Sequence, residues 1–305
     1  MKEFEFIQWI RSQTQLNPSA VPVGPGDDCA VVMCGSEKLL VTVDQLLDGV
    51  HFNLATHGAK AAGRKAMARN LSDVASMAAL PLGAVAAVAM PKGFAREDAQ
   101  AMYLAMKKMG EVFHCPIVGG DISVWGEKLA ISITVFARPA GIRPVLRSGA
   151  RVGDVICVTG SLGGSWKSDR HLKFQPRVYE ARILASRHEL HAMIDLSDGL
   201  AGDLAHVCAA SGVGAHVEAA AVPLHDDLKT AGGNDTPLRS ALCDGEDYEL
   251  LFCLPPAHAE QLLREQPLPV KVSRIGTVTA DKAMVLVQPD GTSEPLAACG
   301  WEHET

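Results

Sequence analysis

A chain of 305 residues, 48% hydrophobic and 21% charged, has enough material for two globular domains and is too apolar to be a disordered polymer. Its net charge of −7 argues against a nucleic-acid binder, which usually shows a basic face, so any anionic ligand would need local help. The cysteines (Cys29, Cys34, Cys115, Cys157, Cys208, Cys243, Cys253 and Cys299) show no CxxC or zinc-like spacing and are read as free, mostly buried thiols of a reducing cytosol.

Phe4, Ile7, Trp9 and Ile10 predict a first short helix, with no leader pattern at Met1–Phe6, so a cytoplasmic protein is expected. After a Pro/Gly connector over 17–26, strands are predicted at Cys29–Met33 and Leu39–Val43, then an alanine-rich helix over Ala59–Leu80. Uncharged Val74–Pro91 is divided by Pro81 and Gly83 into helix end, turn and strand, so no membrane span is expected. A strand at Val85–Met90, a helix at Glu97–Phe113, a short buried strand at Ile117–Val118 and a long strand at Leu129–Ala137 follow. This half lacks a strict βαβ rhythm, so the fold class expected is α+β. Basic, Pro/Gly-rich residues 138–153 make the best boundary, giving domains 1–140 and 141–305. The second half is predicted to hold strands at Val155–Val158, Ala192–Ile194, Tyr248–Leu254, Val270–Val278 and Ala283–Val287, and helices from Arg177 and over Leu200–Ala210.

Six segments set carboxylates against glycine, serine or asparagine: Gly26-Asp27-Asp28, Thr42-Val43-Asp44, Asn70-Leu71-Ser72-Asp73, Gly119-Gly120-Asp121, Asp195-Leu196-Ser197-Asp198-Gly199 and Asp244-Gly245-Glu246-Asp247. Two acids about 4 Å apart repel by roughly 4 kcal/mol at an effective dielectric near 20, so a cluster of them calls for cations. Magnesium is usually held by one or two carboxylates plus substrate phosphates, which points to several ions and a polyphosphate such as ATP. Taken singly, several of these acids are equally well explained as caps or turn residues, and Arg69 is a possible ion-pair partner for Asp73 four residues on. Gly160–Ser165 is phosphate-loop-like, but no GxxxxGK(S/T) motif occurs in the chain. His114, His188 and His258 are read as surface or core residues, and no Ser-His-Asp or Cys-His arrangement offers a covalent nucleophile.

In this order, GDDCAVV, TVD, DGVHF, NLSDVASM, GGDIS, VTGSLGGS, RHLKFQPRV, MIDLSDGL and DGEDYELLF resemble the thiamine-monophosphate kinase family of the aminoimidazole ribonucleotide synthetase-like superfamily. The resemblance implies an N-terminal domain that binds ATP and metal and whose strands pair in a homodimer, a C-terminal domain covering nucleotide and acceptor, and phosphoryl transfer from ATP to thiamine monophosphate. It assigns magnesium ligands to Asp28, Thr42, the Val43 backbone, Asp44, Asp73, Asp121, Asp195 and Asp198. Nucleotide contacts fall on Gly120, Arg147 and Ser197, and acceptor contacts on His51, Glu246 and Trp301. Val43, Ala78 and Asp244 depart from the family pattern, and the segment between Gly164 and Arg170 is short. The alternatives are a superfamily enzyme with another phosphate acceptor, or an inactive nucleotide- and metal-binding paralogue.

Overall fold

The computed structural model describes residues 3–229 and 236–301. Helix α1 (Glu3–Gln13) forms where expected but lies outside the core, with Phe6 and Trp9 stacked on each other and exposed. The first sheet has the order β1-β2-β5-β3-β4, built from β1 (Ala30–Cys34), β2 (Glu37–Leu47), β3 (Leu80–Pro91), β4 (Ile117–Trp125) and β5 (Ala130–Arg138). Strand alternation decides its two faces. Leu40, Thr42 and Leu46 of β2 point inward, whereas Val43 and Gln45 point out. Helix α2 (Leu54–Ser76) packs on the inner face, against β2 and β5, and α3 (Arg96–Val112) packs on α2. Alanine and methionine suit α2 to this crowded position, and at Gly63 a Cβ would lie 2.2 Å from the carbonyl oxygen of Met102.

The second sheet runs β12-β11-β8-β10-β6-β9-β7, with β6 (Val155–Thr159), β7 (Ala192–Asp195), β8 (Gly214–Glu218), β9 (Leu250–Leu254), β10 (Val272–Thr279), β11 (Met284–Val287) and β12 (Ser293–Pro295). Every residue of β6, β7 and β9 is buried, which accounts for their apolar sequences, broken only by Thr159 and Asp195 at the ends of β6 and β7. Helices α4 (Val178–Arg187), α5 (Leu200–Ser211), α6 (Pro237–Cys243) and α7 (Pro256–Glu265) complete the described chain. One apolar core is continuous across the two halves: Leu71 and Val74 of α2 belong to the same cluster as Leu184, Leu250 and Phe252. A second core lies between the sheet and α5. No helix of the described residues is long and apolar enough to cross a membrane.

Five sequence expectations need correction. Pro81 and Gly83 lie inside β3, marked only by a register shift between them, and form no turn before it. Strand β2 continues to Leu47, so Asp44 lies inside a strand instead of closing one, because Leu46 keeps the alternation going. Strand β4 has nine residues and is largely exposed, not a short buried strand, since an edge strand needs only β3 beside it to persist. Strand β8 and helices α6 and α7 had no predicted counterpart. Finally, Cys243 and Cys299 form a disulfide with their Cα atoms 5.1 Å apart, and Cys34 is exposed; only Cys29, Cys115, Cys157, Cys208 and Cys253 are buried free thiols. The disulfide pairs residues 56 apart in sequence that only the tertiary fold brings together.

Candidate active site

Charged residues recur every four positions along one ridge of α2: Lys65, Arg69 and Asp73. With a rise of 1.5 Å per residue, they span about 12 Å. Each meets a partner from another element. Lys65 is fully buried, and its Nζ lies 2.6 Å from Glu246 Oε2 and donates to the His51 carbonyl at 2.8 Å. Arg69 Nε pairs with Asp44 Oδ2 at 3.2 Å, so it serves Asp44 and not Asp73, its suggested partner. Asp73 Oδ2 instead accepts from Thr42 Oγ1 at 2.5 Å. Asn70 ties helix to strand, donating to the Ala66 carbonyl and accepting from the Asp44 amide at 3.1 Å.

Around this ridge the loops bring further acids. Arg147 donates through Nε to Asp28 Oδ1 at 3.0 Å and through Nη2 to the same oxygen, while its amide reaches Asp27. The other oxygen of Asp28 is buried without a protein donor. Asp195, at the end of β7, accepts from Ser72 Oγ of α2 at 2.6 Å. Asp203, unnoticed in the sequence, accepts from the amides of Asp198 and Gly199 and so closes the start of α5. The segment after Asp195 is zipped to the one carrying Glu246: the Glu246 amide donates to the Ser197 carbonyl at 2.8 Å, and that of Tyr248 to Leu196 at 2.7 Å. Gly245 permits this approach, with φ +72° and only 2.6 Å between an added Cβ and the Ser197 oxygen.

Burial and mutual repulsion dominate the electrostatics. Burial, then Asp44, Asp195 and Asp28, push the Asp73 carboxyl well above its ordinary value. Burial and Asp28 raise Asp195 to about 7 despite the Ser72 hydrogen bond and Arg147. Asp27 is raised to about 6 by burial and then by Asp28. Burial works against the Arg147 charge, but Asp28 and Asp27 hold the guanidinium protonated. Among the described residues, no three or more His, Cys, Asp or Glu side chains form a group that could hold a metal ion. Such acids suit cations that arrive with phosphate ligands.

A cleft of about 1350 Å³ joins these groups. It is lined by Asp28, Thr42, Val43, Asp44, Asp73, Asp195 and Asp198, by Arg147 and Ser197, and by His51, Glu246 and Trp301. Gly120 and Asp121 are not among its lining residues. Register places Asp121 beside Ala87, Ala87 beside Ser132, and Ser132 beside Gln45. Three strand spacings, about 14 Å, thus separate Asp121 from the β2 residues next to Asp44. Gly120 has a structural cause of its own, since a Cβ there would lie 1.9 Å from the Ala86 carbonyl oxygen. The glycine-rich loop at 160–164 also stays outside: the Gly163 amide donates to Asp247, and Gly163 packs on the Ala241 backbone. Lys65 and Asp203 escaped the sequence reading, and Arg69 entered it only as a partner for Asp73. The signal for Lys65 is the four-residue charge spacing with Arg69 and Asp73 inside an otherwise alanine-rich helix.

A family model described as AIR synthase related protein, N-terminal domain, matches residues 26–138, and its C-terminal counterpart matches residues 151–288. Over 288 residues the chain is 38% identical to the thiamine-monophosphate kinase of Rhodopirellula baltica, covering 90% of this chain and 89% of that one. It is 31% identical over 328 residues to that of Bacillus subtilis, covering 99% of each. The chain belongs to the thiamine-monophosphate kinase family. Among solved structures, AaThiL complexed with AMPPCP and TMP superposes with a TM-score of 0.83 at 30% identity, covering 99% of this chain and 97% of that one. Thiamine-monophosphate kinase from Stenotrophomonas maltophilia gives 0.75 at 30% identity, covering 97% and 99%. The family member described here therefore has the two-domain AIR synthase-like fold that its motifs resemble.

Proposed function

We propose that this protein transfers the γ-phosphoryl group of ATP directly to the phosphate of thiamine monophosphate, giving thiamine diphosphate and ADP. The observation that carries the reading is the shared cleft: one polar wall of Asp28, Asp44, Asp73 and Asp195 faces the same space as His51, Glu246 and Trp301. The kinship with thiamine-monophosphate kinases supports both substrates. A phosphate monoester is already an anionic nucleophile at neutral pH, so its oxygen attacks the γ-phosphorus and the bond to the β–γ bridging oxygen breaks, with no protein base or phosphoenzyme. Arg147, kept protonated by Asp28 and Asp27, offers positive charge to the nucleotide phosphates. Trp301 and Glu246 offer a π face and a carboxylate to the cationic end of the acceptor.

The acids fit magnesium. The orphaned Asp28 Oδ2 and the raised carboxyls of Asp73 and Asp195 are groups that a divalent cation would satisfy. Asp28, Asp44, Asp73, Asp195 and Asp198 would hold several Mg2+ ions, with Thr42 and the Val43 backbone contributing oxygens. When bound, those ions neutralise and align the two phosphate groups.

A homodimer accounts for the remaining expected ligand. Val118, Ile122, Val124 and Trp125 leave β4 with exposed apolar side chains on an edge strand, a surface that natural proteins cover. Docking of a second copy there would bring Gly120 and Asp121 to a site that their own chain keeps about 14 Å away. The activity is tested by incubating the protein with ATP, Mg2+ and thiamine monophosphate and separating products by chromatography. Thiamine diphosphate and ADP in equal amounts are expected. ADP without thiamine diphosphate would mean another acceptor, and no turnover would mean an inactive paralogue.

A further inference from the structure

Trp166 takes no part in the phosphoryl-transfer apparatus above, yet it lines the same cleft and is 43% exposed. It sits on the short segment between Gly164 and Arg170, and that segment is firmly tied. The Ser168 amide donates to the Gly164 carbonyl at 3.1 Å, that of His171 to Ser165 at 3.3 Å, and Ser168 Oγ to Asp227 Oδ2 at 2.6 Å. The indole stacks on His171, with ring centroids 4.4 Å apart and planes 23° from parallel. His171 is itself fully buried, and its Nδ1 lies 2.7 Å from Lys65 Nζ. Burial, then Lys65 and His57, push the His171 pKa down to about 3, so the imidazole is neutral and its Nδ1 accepts from the ammonium. Lys65 pairs with Glu246 as well, and therefore positions the Trp166 indole and the Glu246 carboxylate together.

A partly exposed indole at the wall of a polar cleft leaves apolar area in water unless a ligand covers it. Electron-poor nitrogen heterocycles suit that role, because they gain from the ring quadrupole while a carboxylate answers their charge. Resting on the reading of thiamine monophosphate as acceptor, we propose that Trp166 is a specificity-determining wall of the acceptor pocket. Its exposed surface stacks on the flat heteroaromatic part of the acceptor, beside the Glu246 carboxylate. Lys65 and His171 are positioning residues for this wall.

Steady-state kinetics with Trp166→Ala, Trp166→Leu and Trp166→Phe test the assignment. Trp166→Ala and Trp166→Leu should raise the apparent KM for thiamine monophosphate about tenfold, with KM for ATP within about twofold of the parent, and Trp166→Phe should restore most of the loss. The leucine variant preserves apolar packing, so it decides the matter if the alanine variant fails to fold. An unchanged acceptor KM in the leucine variant of a chain that does make thiamine diphosphate overturns this assignment alone. Equal rises for both substrates, or recovery of the acceptor KM by leucine as fully as by phenylalanine, also overturn it, since packing and not stacking would then be at work. Absence of any thiamine diphosphate from the parent chain overturns both this assignment and the proposed function.

Discussion

Replacing Asp73 by asparagine should stabilise the metal-free protein and cripple the enzyme, two effects that a structural cap would not combine. Asparagine keeps the oxygen that accepts from Thr42, so the change removes charge and little else. Unit charges 5 to 7 Å apart repel by roughly 2 to 3 kcal/mol at an effective dielectric near 20, and Asp44, Asp195 and Asp28 all raise the Asp73 pKa. Partial protonation relieves some of this, so the metal-free variant should gain about 1 to 2 kcal/mol, or roughly 2 to 6 °C in Tm. The pH dependence has a definite sign. A native carboxyl raised above the ordinary 3.8 binds its proton more tightly than the unfolded chain does. Metal-free stability therefore falls as pH rises from 3.8 through the raised value, and asparagine removes that contribution. With Mg2+ and ATP the order should reverse, because ligand in about hundredfold excess over its Kd adds about 2.7 kcal/mol to a chain that binds it. Turnover should fall by at least about 100-fold. Thermal melts at several pH values, with and without Mg2+ and ATP, and initial rates at limiting Mg2+ provide the measurements. Near-normal rates at limiting Mg2+, or a variant less stable without metal, would refute the ligand role.

Lys65→Met addresses the other end of the ridge. Burial lowers Lys65 to about 8 despite Glu246, so the parent KM for thiamine monophosphate should climb above about pH 8, whereas the methionine variant should show a high KM without that inflection. The unfolded lysine holds its proton up to 10.5, so this residue's destabilising effect should be relieved, and Tm supported, as pH rises from about 8 to 10.5. A parallel inflection in the variant would mean that another group titrates. Direct transfer predicts that γ-labelled ATP alone leaves no acid- or base-stable label on the protein, and recovery of such label would sink it. Ile122→Lys, at a position 71% exposed on β4, should convert a dimer to a monomer in size-exclusion chromatography with light scattering; a parent that is already monomeric removes the dimer.

Much of the site could be read from the sequence because its acids stand where strands or glycine-rich turns end. Asp28, Asp195 and Asp198 do so, and Asn70 and Asp73 share a helical face that their three-residue spacing reveals. Asp44 lines the cleft, but from inside a strand and not at its end, since nothing local distinguishes the last residue of a strand from an inner one whose neighbour Leu46 is buried. Asp121 shows a different limit. Its motif predicts a ligand, but only sheet order reveals that β5 and β3 stand between it and β2. The Cys243–Cys299 pairing was illegible for a related reason, because the approach of α6 to the tail is a tertiary event.

Lys65 escaped notice because lysine is an ordinary helix former, and only burial makes it exceptional. A buried charge without a partner costs far more than a helix returns, so each must be met from outside the helix. Glu246 comes from the second half of the chain and Asp44 from the first sheet, while Ser72 on the same helix reaches Asp195 at the end of β7. The α2 ridge is therefore fully satisfied only when both halves are docked against it. If the proposed acceptor and metal roles hold, docking of the two halves would, on these contacts, also assemble the two ends of the cleft. A substitution at Lys65 should consequently disturb the acceptor through Glu246 while leaving the Asp28–Arg147 pair, held by different loops, intact.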